Sequence, residues 1–312
     1  MLIAAVWPEG QGNVAYGANI GSNHTSKAPD QEIWCGEGFF FGLGVNIKFP
    51  SNFTKAPYSL VATAVDTLPQ RVEFPFSLIN KPAGVFEGVP RAYNEIFPAW
   101  VLSDNLYAVL RNEAKYKKRN KAKRTGFVLD VFRRDIVEAM IEARRALLDV
   151  RTTREFYTDE DIPGLGKNCM TEASRLKGAD VYGFFIEYFA LQGLAARATG
   201  LVRAGEARRV ASIYADATAD PDGEVRRGSL GSEGYDSRAV AENLERLIDM
   251  CTRIARDTER AKERDDIRGA RIIDDYGEAN TPARDDGFVR EPWETARRVE
   301  AGTSALISTL SG

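Results

Sequence analysis

A six-residue spacing of apolar side chains in the first part of the chain constrains its fold more than any other feature. Val14 and Ile20 stand six apart, and Ile33, Phe39 and Val45 repeat the interval. Val14-Ala15-Tyr16-Gly17-Ala18-Asn19 runs aliphatic, small, two variable residues, then small, and Ile20-Gly21 begins a second copy. A period of six suits a triangular parallel β-helix, in which each hexad supplies one short strand and one turn. The aliphatic side chain points inward and stacks on its equivalents about 4.8 Å away. Ser22 to Glu32 interrupts the count with polar and turn residues, as a loop leaving the coil does. The spacing alone also admits a β-rich sandwich or sheet. With three hexads per coil, residues 1–79 make roughly four coils. Met1 enters a strand without a polar capping segment, so the reading expects either further coils upstream or a partner over the open end.

The period changes to helical at about Arg91. This divides the chain into a β-helix over residues 1–90 and an α-helical region over residues 91–312. Pro98 starts a helix with Trp100, Val101, Leu106, Val109 and Leu110 on one face, and Asp135 to Val150 forms a second. Thr158 to Gly166 is a polar connector. Long helices follow over Thr171 to Thr199, with Thr171 as cap, and over Ser237 to Glu263. Pro292 lies near the start of a last helix, and the acidic, glycine-rich Asp216 to Gly234 reads as mobile.

Several classes of function are excluded or disfavoured by composition. A net charge of -3 over 312 residues leaves no bulk charge to hold nucleic acid or membrane. Cys35, Cys169 and Cys251 are odd in number and form no C-x-x-C pair, which fits buried thiols in a reducing cytoplasm. One histidine, His24, gives no Cys/His cluster for zinc, so no metal is expected, although carboxylate sites stay open. The apolar start, Met1 to Trp7, is too short for a signal sequence, and Tyr182 to Ala196 falls short of a membrane span.

Four segments together resemble one family: Gly17-Ala18-Asn19-Ile20-Gly21-Ser22-Asn23-His24, Gly36-Glu37-Gly38-Phe39-Phe40-Phe41-Gly42-Leu43-Gly44, Phe74-Pro75-Phe76-Ser77-Leu78-Ile79 and Ile162-Pro163-Gly164-Leu165-Gly166-Lys167-Asn168. They are similar to an uncharacterised bacterial family of hexapeptide-repeat, left-handed β-helix proteins with a helical C-terminal region. Members carry further hexads upstream, and this chain resembles their C-terminal half. The resemblance implies a short left-handed parallel β-helix followed by helices. It also implies kinship with acyl-CoA-dependent acyltransferases, which are usually homotrimers. The related carbonic anhydrases use three histidines per zinc, which a chain with one histidine cannot supply.

On that resemblance His24 is the candidate base. A histidine removes the acceptor's proton in such acyltransferases, and its pKa near cellular pH suits the task. Asn23 is placed to orient the imidazole or the acceptor, and Lys27 or Lys48 to meet a phosphate. The structural alternative for His24 is a loop imidazole bonded to backbone. The functional expectation is acyl transfer from a coenzyme A thioester, bound between β-helices of a trimer, to a sugar or nucleotide-sugar. The rival is a non-catalytic oligomeric scaffold or binding module. Lys115 to Arg124 holds seven basic residues in ten, a possible RNA contact that reads more simply as a solvated helix end, because aromatics are not interleaved. Gly164-Leu165-Gly166-Lys167-Asn168 lacks a full phosphate-loop pattern and reads as a tight helix-to-helix turn. Asp265-Asp266, Asp274-Asp275 and Asp285-Asp286 read as solvated acidic surface rather than cation ligands.

Overall fold

The first part of the chain winds through three parallel sheets in rotation. In this computed structural model, residues 5–6, 12–21, 32–124, 126, 128–215 and 221–311 are described. The short strands are β1 (Ala5–Val6), β2 (Asn13–Val14), β3 (Asn19–Ile20), β4 (Ile33–Trp34), β5 (Phe40–Phe41) and β6 (Asn46–Ile47). They continue as β7 (Ser51–Asn52), β8 (Leu60–Val61), β9 (Asp66–Thr67), β10 (Gln70–Arg71) and β11 (Leu78–Asn80). One face stacks β1-β4-β7-β10, the second β2-β5-β8-β11 and the third β3-β6-β9, all parallel. Ile33 pairs with Ser51 and Leu60 with Leu78, each 18 residues on, which is three hexads per coil. Phe40 pairs with Leu60 and Asn46 with Asp66, each 20 residues on, so the third coil carries two extra residues between β7 and β8.

The hexad logic explains the core. Ile20, Ile33, Phe39, Phe41, Val45, Ile47, Val61, Val65 and Ile79 are buried, and the rings of Phe39 and Phe53 pack tilted at 32° with centroids 4.6 Å apart. Of the aliphatics predicted to point inward, Val14 is the exception, 37% exposed on the end strand β2. Coil corners demand left-handed backbone at equivalent positions of successive coils. Gly17, Gly44 and Ala64 form one such column (φ 74°, 62° and 57°), and Gly38, Tyr58 and Phe76 another (φ 64°, 56° and 55°). Glycine takes this conformation without penalty, whereas the alanine, tyrosine and phenylalanine are held there by the ladder. The Ala64 N–H, for example, donates to the Leu43 carbonyl at 2.8 Å. Gly42 serves a different need: a Cβ there would lie 2.6 Å from the Val61 carbonyl oxygen of the next coil.

Beyond the last coil the second face continues as a mixed sheet. β12 (Asn94–Phe97) pairs antiparallel with β11, β14 (Asn168–Thr171) lies parallel beside β12, and β13 (Phe156–Tyr157) closes antiparallel on β14. The helical period from Arg91 did not foresee these three strands, because each is only two to four residues long and too brief to show alternation.

The helices are α1 (Trp100–Asp104), α2 (Leu106–Arg119), α3 (Arg134–Leu148), α4 (Glu172–Arg203), α5 (Pro221–Ser232), α6 (Val240–Ala270), α7 (Tyr276–Ala279) and α8 (Gly287–Ser311). The segment read as mobile is helical over α5, while residues 216–220 lie outside the described set. Its charged residues are compatible with a helix, since Asp222 and Glu224 fall in the first turn, where carboxylates favour the dipole. Two compact units result: Met1–Ser103 with Thr125–Phe127 and Asp135–Gly183, and Asp104–Arg124 with Val128–Arg134 and Phe184–Gly312. In the second, α6 buries Leu244, Leu247, Cys251, Ile254 and Ala261 at helical spacing. Around Ala261, Tyr107 and Val289 pack with Phe288 and Trp293. No described helix is long and apolar enough to cross a membrane.

Candidate functional site

His24, Asn23 and Lys27 lie within residues 22–31, outside the described residues, so only Lys48 of the predicted site can be placed. Lys48 is exposed just after β6, with its N–H donating to the Thr67 carbonyl of the next coil at 3.3 Å. On the β3-β6-β9 face Asn19, Asn46 and Asp66 stack in register, and Asn19 Nδ2 donates to Asn46 Oδ1 at 2.9 Å.

The glycine-rich segment at 162–168 is part of the first unit's framework. It packs on β10 rather than linking two helices, which corrects the helix-to-helix reading. The Asp159 carboxylate accepts from the N–H groups of Gly164 (2.9 Å) and Gly166 (3.2 Å). The Glu73 N–H donates to the Gly164 carbonyl at 2.9 Å, and Lys167 N and Asn168 Nδ2 donate to Gln70 Oε1 at 3.0 and 2.7 Å. The donors a phosphate would use are therefore turned to the protein. Both glycines have positive φ, and a Cβ on Gly166 would meet the Arg71 carbonyl at 2.7 Å. Nearby, Glu172 accepts from Arg175 Nε (2.6 Å) and Nη2 (2.7 Å) and from the Tyr157 hydroxyl (2.7 Å). The Arg175 guanidinium holds the Glu172 carboxyl below its usual range, against the opposing pull of burial.

The acidic pairs divide their labour. Asp266 accepts from Lys262, from the Tyr276 hydroxyl (3.1 Å) and from Ala283 N (3.0 Å). Asp286 is buried, accepting from the Tyr107 hydroxyl (2.9 Å) and from Phe288 N (2.7 Å) at the start of α8. The reading of all three pairs as solvated surface therefore fails for these two carboxylates, which fasten helices together; Asp285 and Asp265 make exposed ion pairs with Arg284 and Arg268. Among the described residues no group of three His, Cys, Asp or Glu side chains is placed to hold a metal.

Of the basic run, Lys115, Lys117, Lys118 and Arg119 end α2, where cations complement the dipole. Lys117 bridges Glu113 (2.8 Å) and Asp130 (2.7 Å). The three thiols are buried and free, with burial pushing Cys35 up to about 12 and Cys169 and Cys251 up to about 11.

The second unit holds a cavity of about 470 Å3, walled by α4, α5 and the 3-10 turn that ends at Ser212. Arg197, Arg226, Arg227 and Tyr214 line it. Sequence reading missed it because these residues come from three separate segments. A local signal is Gly193, one of four glycines within α4, where glycine costs about 1 kcal/mol relative to alanine.

Compared with known proteins, the chain is similar to an uncharacterized protein of Treponema pallidum (strain Nichols), 39% identical over 170 residues. The match takes in 52% of this chain and 22% of that protein's length. No family model and no solved structure matches the chain.

Proposed function

We propose that the chain is a hexapeptide-type, left-handed parallel β-helix protein that transfers an acyl group from coenzyme A to a sugar or nucleotide-sugar in the cytoplasm, as a homotrimer. The observation that supports the reading is the 18-residue, three-strand coil, with the outward row Asn19, Asn46 and Asp66 on its third face. On this reading His24 takes the acceptor's hydroxyl proton as the acceptor oxygen attacks the thioester carbonyl. The new C–O bond forms as the C–S bond breaks, and the proton passes from His24 to the departing coenzyme A sulfur. Asn23 orients the imidazole or the acceptor, and Lys27 and Lys48 meet the phosphates of donor or acceptor.

The test pairs thermal unfolding with release of free coenzyme A from acetyl-CoA in the presence of UDP-sugars, for the wild type and His24→Ala. Acetyl-CoA at 100 times its Kd adds about 2.7 kcal/mol to stability, a readable shift. The variant keeps the shift and loses the release. Absence of both in the wild type, or undiminished release by the variant, refutes transfer. A second reading, a non-catalytic oligomeric scaffold, is favoured by one coil corner, where Tyr16 is 91% exposed and Leu43, in register one coil on, 52%. A trimeric native mass without coenzyme A binding selects it.

A further inference from the structure

The cavity in the helical unit is built around one arginine. Arg226 on α5 lies across α4 with its guanidinium carbon 4.0 Å from the centroid of the Phe189 ring, a cation–π pair that positions the group. It fits because residue 193 is glycine: a Cβ there would stand 2.2 Å from Arg226 Cδ and 2.6 Å from Nη1. Arg197 and Arg227 line the same space. The described carboxylate in the wall, Asp222, faces Arg134 at 3.9 Å. Tyr214 adds a neutral donor. Its hydroxyl oxygen accepts from Asn243 Nδ2 at 2.7 Å, which leaves its own proton to give, and burial holds the phenol above its usual pKa. Arg197 and Arg226 make other polar contacts as well, and a guanidinium with five N–H groups has donors for more than one partner.

We propose that this cavity binds a small organic phosphate ester. Three guanidinium groups suit a dianion better than a single carboxylate, and the planar Arg226 fork matches phosphate oxygens in pairs. The volume suits a molecule of nucleotide or sugar-phosphate size, with Leu194 and Ile213 supplying apolar wall for its body. The site lies wholly in the helical unit and does not depend on the acyl-transfer reading.

The experiment is calorimetric titration of the full chain with AMP, glucose 6-phosphate, inorganic phosphate and citrate. At least one ester binds more tightly than inorganic phosphate or citrate. Arg226→Ala weakens it about tenfold or more, as loss of a charged hydrogen-bond donor does. Gly193→Ala retains every charge and produces a similar loss by displacing Arg226, so a folding defect in Arg226→Ala leaves the proposal testable. Arg268→Ala, an exposed control, changes nothing. No ester binding, inorganic phosphate or citrate binding as tightly as the esters, or ester binding untouched by Arg226→Ala or Gly193→Ala overturns it. A coenzyme A shift that disappears in Arg226→Ala belongs to this cavity and not to the coil, which keeps the two proposals separable.

Discussion

Gly42→Ala tests whether the coil is held by the tight approach of successive turns. The new Cβ would sit 2.6 Å from the Val61 carbonyl oxygen and 2.9 Å from Ala62 C and Thr63 N, all backbone. Ordinary contact begins at 3.4 Å, so the coils must part locally by 3.4 − 2.6 = 0.8 Å. The bond from Gly42 N to the Val61 carbonyl, now 2.9 Å, would then stretch beyond useful length. Overpacking of this kind costs about 1–3 kcal/mol and the lost bond about 1 kcal/mol, a total of about 3 kcal/mol. Gly44→Ala is the matched control. Nothing lies within 4 Å of its Cβ, and Ala64 already holds the same corner at φ 57° one coil on. Left-handed strain of about 1 kcal/mol, offset by the stiffer unfolded chain, leaves a cost of about 0.5 kcal/mol. The assay is urea unfolding followed by tryptophan fluorescence in a Trp293→Phe background, which leaves Trp7, Trp34 and Trp100 as reporters of the first unit. Equal costs for the two variants, or a Gly42→Ala within about 0.5 kcal/mol of its parent, would refute the packing argument.

Thiol accessibility and acid stability supply two further checks. With Cys35 near 12 and Cys169 and Cys251 near 11, fewer than about one thiol in a hundred is ionised at pH 8; an aromatic disulfide reagent should therefore find no fast-reacting thiol in the native chain and all three after unfolding. Rapid native labelling contradicts that placement. The Glu172 carboxyl is held below its unfolded value by Arg175, so its contribution is present above the unfolded carboxylate pKa of about 4.3 and is lost as pH falls through the lower folded value. Glu172→Gln should lower stability at pH 7 and flatten its fall below pH 4, measured as urea midpoints across pH; an unchanged acid slope goes against the pairing.

The β-helical part was legible because its signal is periodic and local. A buried aliphatic every sixth residue, with glycine at corners, is written along the chain, and Ile33, Phe39 and Val45 carry it without reference to distant residues. What stayed hidden depends on contacts across sequence. β12 becomes a strand because the open edge of β11 offers a partner, and β14 because β12 does, not because Asn94–Phe97 or Asn168–Thr171 alternate. Asp286 reads as one of two adjacent acids until Tyr107, 179 residues away, is seen to donate to it. Residues 221–232, rich in charge and glycine, form a helix whose Leu230 is buried, a tertiary override of weak propensity.

The same distinction governs the functional argument. Gly42 and Gly164 to Asn168 are spent on geometry: one lets coils approach, the others turn their donors onto Asp159 and Gln70. These segments therefore build framework and are silent on chemistry, which must be tested through His24. The arginine cavity inverts this pattern. Its glycine is costly within α4; the space it leaves is taken by a side chain, Arg226, at a position no local motif marks. Alanine at 193 would favour the helix itself, and the glycine gives up that preference for the room Arg226 takes beside Phe189. The decisive comparison is ester binding by a folded Gly193→Ala: its loss identifies Arg226 as a ligand-holding residue, whereas undiminished binding leaves the Arg226–Phe189 contact to the fold alone.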